Sequence, residues 1–175
     1  MKKATFANGC FWCTEAVFQH LKFVENIESG FTGGQIKNPP YREVVMGRTG
    51  HAEAIQLDYD DTKIDYETLL HVFFTTHDPT TLNRQGYDVG EQYRSEIFYH
   101  DAQQKEIAEA VIKKLNENVF DGKIVTKLSA AKEFYVAEFE HQNFYQNNTE
   151  FRYCQLIIEP KLKKLRESFQ HLLSE

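Results

Sequence analysis

The residue types that could do chemistry are thiols, one misplaced carboxyl and two loop tyrosines. Cys10 follows Asn8 and Gly9 and opens a pattern in which Ala16, Val17, Phe18 and Leu21 recur at helical spacing. A cysteine reacts as its thiolate, and the unpaired N–H groups at a helix start favour that anion. The position therefore predicts a nucleophile with a lowered pKa. Gly9 permits close backbone approach, and Cys13 lies one helical turn further on. The alternative for Cys10 is a buried cysteine acting as a small hydrophobe. Cys10 and Cys13 form a C-x-x-C, which alone suggests a thioredoxin-like dithiol. The Phe11-Trp12 pair between them is unlike the small or proline-containing pairs of such motifs. It either packs the base of the helix or walls an apolar pocket, and Trp12 is the single Trp of the chain.

Glu53 stands in a segment that alternates as a strand, on the same face as Ile55, Leu57 and Tyr59. An ionised carboxyl on an apolar face is costly. Either Glu53 reaches solvent at the strand end, or its pKa rises and it holds a proton near neutral pH as a general acid. Tyr41 follows the Asn38-Pro39-Pro40 turn, and Tyr93 follows the Asp88-Val89-Gly90 turn. Their hydroxyls either cover a core edge or converge on a bound oxygen. No zinc-spaced Cys/His pairs, nucleophile elbow, Walker loop or dinucleotide fingerprint is present. His51, His77 and His141 are scattered singly and read as turn or capping residues.

The elements that must position these groups follow from periodicity. A strand over Lys3 to Ala7 turns directly into the helix at Cys10, and a loop runs from Gly30 to Arg42. A strand over His51 to Tyr59 precedes a helix over Tyr66 to Thr76. The stretch from His77 to Glu91 is a long loop, of a length that is usually functional. A strand over Arg94 to Tyr99 leads to a helix capped by Asp101, with Gln104 as capping-box partner and Ile107, Val111 and Leu115 as its inner stripe. Strands over Lys123 to Leu128 and Phe134 to Glu140, an irregular piece from His141 to Tyr145, and a helix over Pro160 to Leu173 complete the chain. Irregular alternation of this kind predicts an α+β two-layer sandwich rather than a doubly wound sheet.

Composition bounds the function. The 175 residues are 41% hydrophobic, enough for one core without disulfides or a structural metal, and nothing divides them, so residues 1–175 read as a single catalytic domain. A formal charge of -6 disfavours nucleic acid or an anionic membrane as partner. The apolar stretch after Lys2 and Lys3 is broken by Thr5, Asn8 and Gly9, and no run reaches membrane length, so the expectation is a cytoplasmic, monomeric protein. Three cysteines are too few for a disulfide framework.

Several blocks in one order resemble the methionine sulfoxide reductase A family across most of the chain: GCFWCTEAVF from Gly9, GGQIKNPPYREV from Gly33, TGHAEAI from Thr49, HDPTTLNRQGYDVGEQYRS from His77 and HQNFY from His141. The resemblance implies a ferredoxin-like core with a mixed sheet, no metal or organic cofactor, and reduction of the S epimer of methionine sulfoxide, free or protein-bound. Carried over, it makes Cys10 the nucleophile that becomes a sulfenic acid and puts Phe11 and Trp12 around the substrate methyl group. Glu53 becomes the proton donor, Tyr41 and Tyr93 its hydrogen-bonding partners, and Asp88 a polar group of the same pocket. It also implies a disulfide reduced by thioredoxin. Two departures bear on that disulfide. Many members have Gly where this chain has Cys13, and many end in a glycine-rich tail, whereas Cys154 here is followed by Gln-Leu-Ile-Ile. Position in the alignment favours Cys154 as the resolving thiol, with Cys13 as the alternative. The rival functions are a thiol-disulfide oxidoreductase using Cys10 and Cys13, and a non-catalytic module binding methionine-containing peptides.

Overall fold

A computed structural model describes residues 1–174. The strands are β1 (Lys2–Asn8), β2 (Val24–Thr32), β3 (Ala52–Tyr59), β4 (Arg84–Gln85), β5 (Asp88–Val89), β6 (Ser95–Tyr99), β7 (Lys127–Ala130) and β8 (Tyr135–Val136). The helices are α1 (Phe11–Gln19), α2 (Tyr41–Val45), α3 (Tyr66–Thr75), α4 (Ala102–Asn118), α5 (Phe144–Asn147) and α6 (Glu159–Phe169). Six strands form one sheet in the order β7-β6-β1-β3-β2-β8, and β4 and β5 form a separate small hairpin. All neighbours in the large sheet are antiparallel except β6 and β7, so the sheet is mixed.

The register explains the two layers. β3 separates the parallel pair β1 and β2, and β1 separates the parallel pair β3 and β6, giving two interlocked split β-α-β units with α1 and α3 as crossovers. This is the ferredoxin-like core that the resemblance implies. Alternation along β1 and β3 sends Phe6, Ile55, Leu57 and Tyr59 to the helical side, where Phe6 packs on Phe18 (5.2 Å) and Phe73 (5.3 Å). The opposite face carries Ala7, Ala52, Ala54 and Phe98, covered by Ala131 and Phe134. Burying one such aromatic side chain contributes roughly 1.5–3 kcal/mol, so Phe6, at the centre of three rings, anchors the strand that leads to Cys10.

The Asp101 cap holds as read, accepting from Gln104 N at 2.7 Å at the start of α4, and the structure adds a cap at α3, where Asp65 accepts from Thr68 N. The returning bond differs by one residue, since the Gln104 side chain accepts from His100 N rather than from the N-cap. Val111 is buried, and Ile107 and Leu115 are partly buried beside it.

Periodicity misplaced four elements. β2 was missed, and Gly30 to Thr32 belong to it rather than to a loop. Phe23 and Asn26 have positive φ and the register shifts between Glu25 and Glu28, which breaks the alternation by which a strand is read. Gly30 is a strand residue because nothing larger fits: a Cβ there would lie 2.4 Å from Tyr135 O. The strand expected over Lys123 to Leu128 runs instead from Lys127 to Ala130, set by its parallel pairing with β6. That expected over Phe134 to Glu140 pairs only at Tyr135 and Val136 before turning into a 3-10 segment at Phe139–His141. The last helix ends at Phe169, with a 3-10 turn over Gln170–Leu172. Among the described residues no helix is long and apolar enough to cross a membrane.

Candidate active site

Cys10 is the N-cap of α1, with extended backbone, and its carbonyl accepts from Cys13 N (3.0 Å) and Thr14 N (3.4 Å). Two locks fix the junction of β1 and α1. Thr14 Oγ1 donates to Asn8 Oδ1 at 2.6 Å. Gly9, at φ +111°, lets Gln85 approach so closely that a Cβ would stand 2.9 Å from that side chain, which confirms the close approach read from the sequence. Gln85 in turn accepts from Asp78 N and donates to Asp78 O, both at 2.9 Å, so the long loop from His77 is clasped against the cysteine turn.

The lowered pKa expected of Cys10 is not what the site produces. Burial holds the thiol well above its ordinary value, and the neighbouring Cys13 and Glu53 add to it. The Trp12 N–H opposes this and is outweighed. A helix start favours the anion, but desolvation is the larger effect.

Glu53 is 1% exposed, which excludes a solvent-reaching strand end. Its Oε1 accepts from Phe11 N at 3.2 Å, while Oε2 is buried without a partner. Burial pushes this carboxyl up to about 8, against the Phe11 N–H and with the charges of Asp88 and Cys13. It is therefore largely protonated at neutral pH, as a general acid must be.

Tyr41 begins α2, and Tyr93 ends the 3-10 turn Glu91–Tyr93 beyond β5, which carries Asp88. Both hydroxyls are raised by burial first and then by Glu53, Cys10 and Asp88, so they stay protonated and able to donate. Trp12, half-buried, stacks on Phe144 with ring centroids 3.7 Å apart and donates from Nε1 to His141 Nδ1 at 3.2 Å. Phe11 is wholly buried against Phe31 and Tyr41.

All three cysteines are free. Cys13 lies one helical turn from Cys10, whose influence is the largest in holding the Cys13 thiol below its ordinary value despite burial. Its Sγ lies 3.2 Å from Tyr153 Oη, and Tyr153 donates to Asp88 Oδ2 at 3.3 Å. Cys154 is fully buried in the π-helical turn Cys154–Ile158, and burial and the nearby Cys13 push its thiol up.

The family model described as peptide methionine sulfoxide reductase matches residues 2–173. The chain belongs to that family. A Chromobacterium violaceum relative named peptide methionine sulfoxide reductase MsrA is 53% identical over 174 residues, 99% of each chain. The reduced form of Mxr1 from Saccharomyces cerevisiae superposes with a TM-score of 0.79 at 33% identity, covering 87% of this chain and 88% of that one. Mxr1 in complex with Trx2 matches with a TM-score of 0.55 at 26% identity over 82% and 84% of the two chains. The activity of the reductase is peptide-methionine (S)-S-oxide reduction.

Within the reductase, sequence reasoning missed three residues of the site. Glu15, buried in α1, accepts from Ser29 Oγ and Phe144 N (both 3.2 Å) and so docks the ring on which Trp12 lies. Phe144 carried no signal beyond its place in the HQNFY block. Tyr153 carried none beyond standing next to Cys154. His77 and His51 act as read: His77 bridges Phe73 O (2.6 Å) and Ser95 Oγ (2.8 Å), and His51 clamps the loop at Gly34 N and Ile36 O. Glu138, Glu140 and His141 come within 4.8 Å of one another, but His141 Nδ1 is already taken by Trp12. The arrangement can put a nucleophilic sulfur and a carboxyl proton on the same bound atom pair.

Proposed function

We propose that the reductase transfers the sulfoxide oxygen to Cys10 with Glu53 as proton shuttle, acting as a monomeric single catalytic domain. The supporting observation is a buried Glu53 with one oxygen fixed by Phe11 N and the other free, held protonated by that burial, near the least buried of the three thiols. The Cys10 sulfur attacks the substrate sulfur as Glu53 gives its proton to the sulfoxide oxygen. The Tyr41 and Tyr93 hydroxyls steady the charge growing on that oxygen. The oxygen passes to Cys10, the substrate leaves as methionine, and the thiol proton of Cys10 replaces the one Glu53 gave up. No proton is gained or lost overall, and Cys10 is left as a sulfenic acid. Trp12 walls the substrate methyl group, with Phe11 backing it and Asp88 contributing to the polar side of the pocket.

A second thiol then displaces the oxygen as water and forms a disulfide. Position along the chain favours Cys154 for this role, but proximity favours Cys13, which stands one helical turn from Cys10 at the start of α1, while Cys154 is sealed in the core. We adopt Cys13. The likeness to Mxr1, solved with Trx2, supports thioredoxin as the reductant. Three free thiols suit the reducing cytoplasm.

The test is a single turnover without reductant, on methionine S-sulfoxide and on the R epimer. The wild type should release about one equivalent of methionine from the S epimer and none from the R epimer, and Cys10→Ser should release none, since a hydroxyl at its ordinary pKa is a poor nucleophile. Methionine from Cys10→Ser at the wild-type rate would reject the assignment.

A further inference from the structure

One hydroxyl in the site has a single proton and two acceptors. Tyr153 Oη lies 3.2 Å from Cys13 Sγ and 3.3 Å from Asp88 Oδ2. It can donate to one of them only. When it donates to an ionised Asp88, its lone pair is free to accept the Cys13 S–H. When Asp88 is protonated and donates to it, Tyr153 donates to a Cys13 thiolate. The two arrangements hold the same number of protons and differ by a shift along S···O···O.

We infer that Tyr153, with Asp88 behind it, is the proton relay that turns Cys13 into a thiolate for attack on the Cys10 sulfenic acid. The inference rests on Cys13 being the resolving thiol. In the step, the Cys13 proton passes to Tyr153 as the Tyr153 proton passes to Asp88. The Cys13 sulfur bonds to the Cys10 sulfur, the Cys10 S–O bond breaks, and the leaving hydroxide takes the proton back from Asp88. One sulfenic acid, already two electrons above a thiol, and one thiol become one disulfide and one water, so no further oxidant is needed.

The surroundings bias the shift in the required direction. Cys13 is held below its ordinary pKa, first by Cys10 and then by Lys161 and Tyr153 against burial, while burial raises Asp88. Lys161, on α6, is the nearby cation: its Nζ donates to Thr76 O at 2.8 Å, and its charge favours both anions, thiolate and carboxylate. The other ionisable groups around the relay are Cys10 at the N-cap of α1, held protonated by burial, Glu53 of β3, Cys154 near Cys13, and Tyr41 and Tyr93 near Asp88. Tyr153 is kept in place by the edge of its ring against Trp12 (5.8 Å), so the hydroxyl can be removed without unseating the ring.

The experiment compares wild type with Tyr153→Phe after mixing with methionine S-sulfoxide and no reductant, following methionine release and loss of free thiols together. In the variant, thiol loss should lag methionine release by about 10² more than in wild type, the scale of lost acid-base help. The lag should shrink as pH rises, because solvent hydroxide then substitutes for the relay, whereas the wild-type rate should depend on pH much less. An unchanged lag with an unchanged pH profile overturns the relay. So does an equal slowing of both signals, which makes Tyr153 part of the fold or of the first step. Mapping the disulfide in wild type separates the two levels. A bond from Cys10 to Cys154 removes the Cys13 reading itself, whereas a bond from Cys10 to Cys13 with no effect of Tyr153→Phe removes only the relay.

Discussion

At the scale of the residue, the site is built on two groups that water would stabilise as anions and that burial keeps neutral. A carboxyl at ordinary pKa is ionised at neutral pH and cannot give a proton to a sulfoxide oxygen. Glu53, pushed up to about 8 by desolvation, can. Methionine release in the first turnover should therefore hold steady through neutral pH and fall as pH rises past about 8, when the shared proton of Glu53 and Cys10 is lost. Glu53→Gln keeps the shape and removes the acid. Its first turnover should be slower by roughly 10²-fold at neutral pH, with the downturn near pH 8 abolished. Rapid-quench measurements of methionine across the pH range decide both points. A variant as fast as wild type would hand the proton to Tyr41 or Tyr93.

Elements place these residues by short polar contacts rather than by helix or strand propensity. The Cys10 turn depends on Asn8, Thr14 and the approach of Gln85 to Gly9, and Trp12 depends on Glu15 reaching α5. α4 is different. It packs against α3, β6 and β7 in the helical layer, and its N-terminus is closed by Asp101 accepting from Gln104 N. Asp101→Ala should lower stability by about 1 kcal/mol, the usual loss for an N-cap, with the first-turnover rate unchanged. Urea unfolding paired with the turnover assay measures both. A slowed turnover would mean that α4 bears on the site after all.

For the whole molecule, a buried acid with one unpartnered oxygen opposes folding, and its effect on stability has a definite sign. Glu53 has a folded pKa of about 8 against an ordinary 4.5. The folded protein thus holds a proton that the unfolded chain has lost between those values, and stability falls as pH rises through that window. Below it, the carboxyl is neutral in both states and the penalty vanishes. At neutral pH the penalty is on the order of 3 kcal/mol, since each pH step of one above the ordinary carboxyl value adds about 1.4 kcal/mol. Glu53→Gln, which never ionises, should be more stable than wild type at neutral pH, with the gap closing in mild acid. Denaturant titrations at the two pH values test this, and a gap that stays constant with pH would place the stabilising effect elsewhere.

The sequence by itself determined the family, the strand-turn-helix seat of Cys10 and the side of β3 on which Glu53 falls. Each of these depends on neighbours in the chain: the Gly9 turn, the helical recurrence of Ala16, Val17 and Leu21, and strict alternation from Glu53 to Tyr59. It missed β2, where positive φ at Phe23 and Asn26 and a register shift hide the alternation, and it overextended the strand after Phe134. Tertiary structure alone decided the quantities that depend on exclusion of water and on contacts between residues far apart in the chain. Those are the raised Cys10 thiol, the 1% exposure of Glu53, the bond from Trp12 to His141, and Tyr153 held between Cys13 and Asp88. A helix start announces itself in a few adjacent residues. Desolvation is the sum of everything the fold brings near, and no local pattern encodes it.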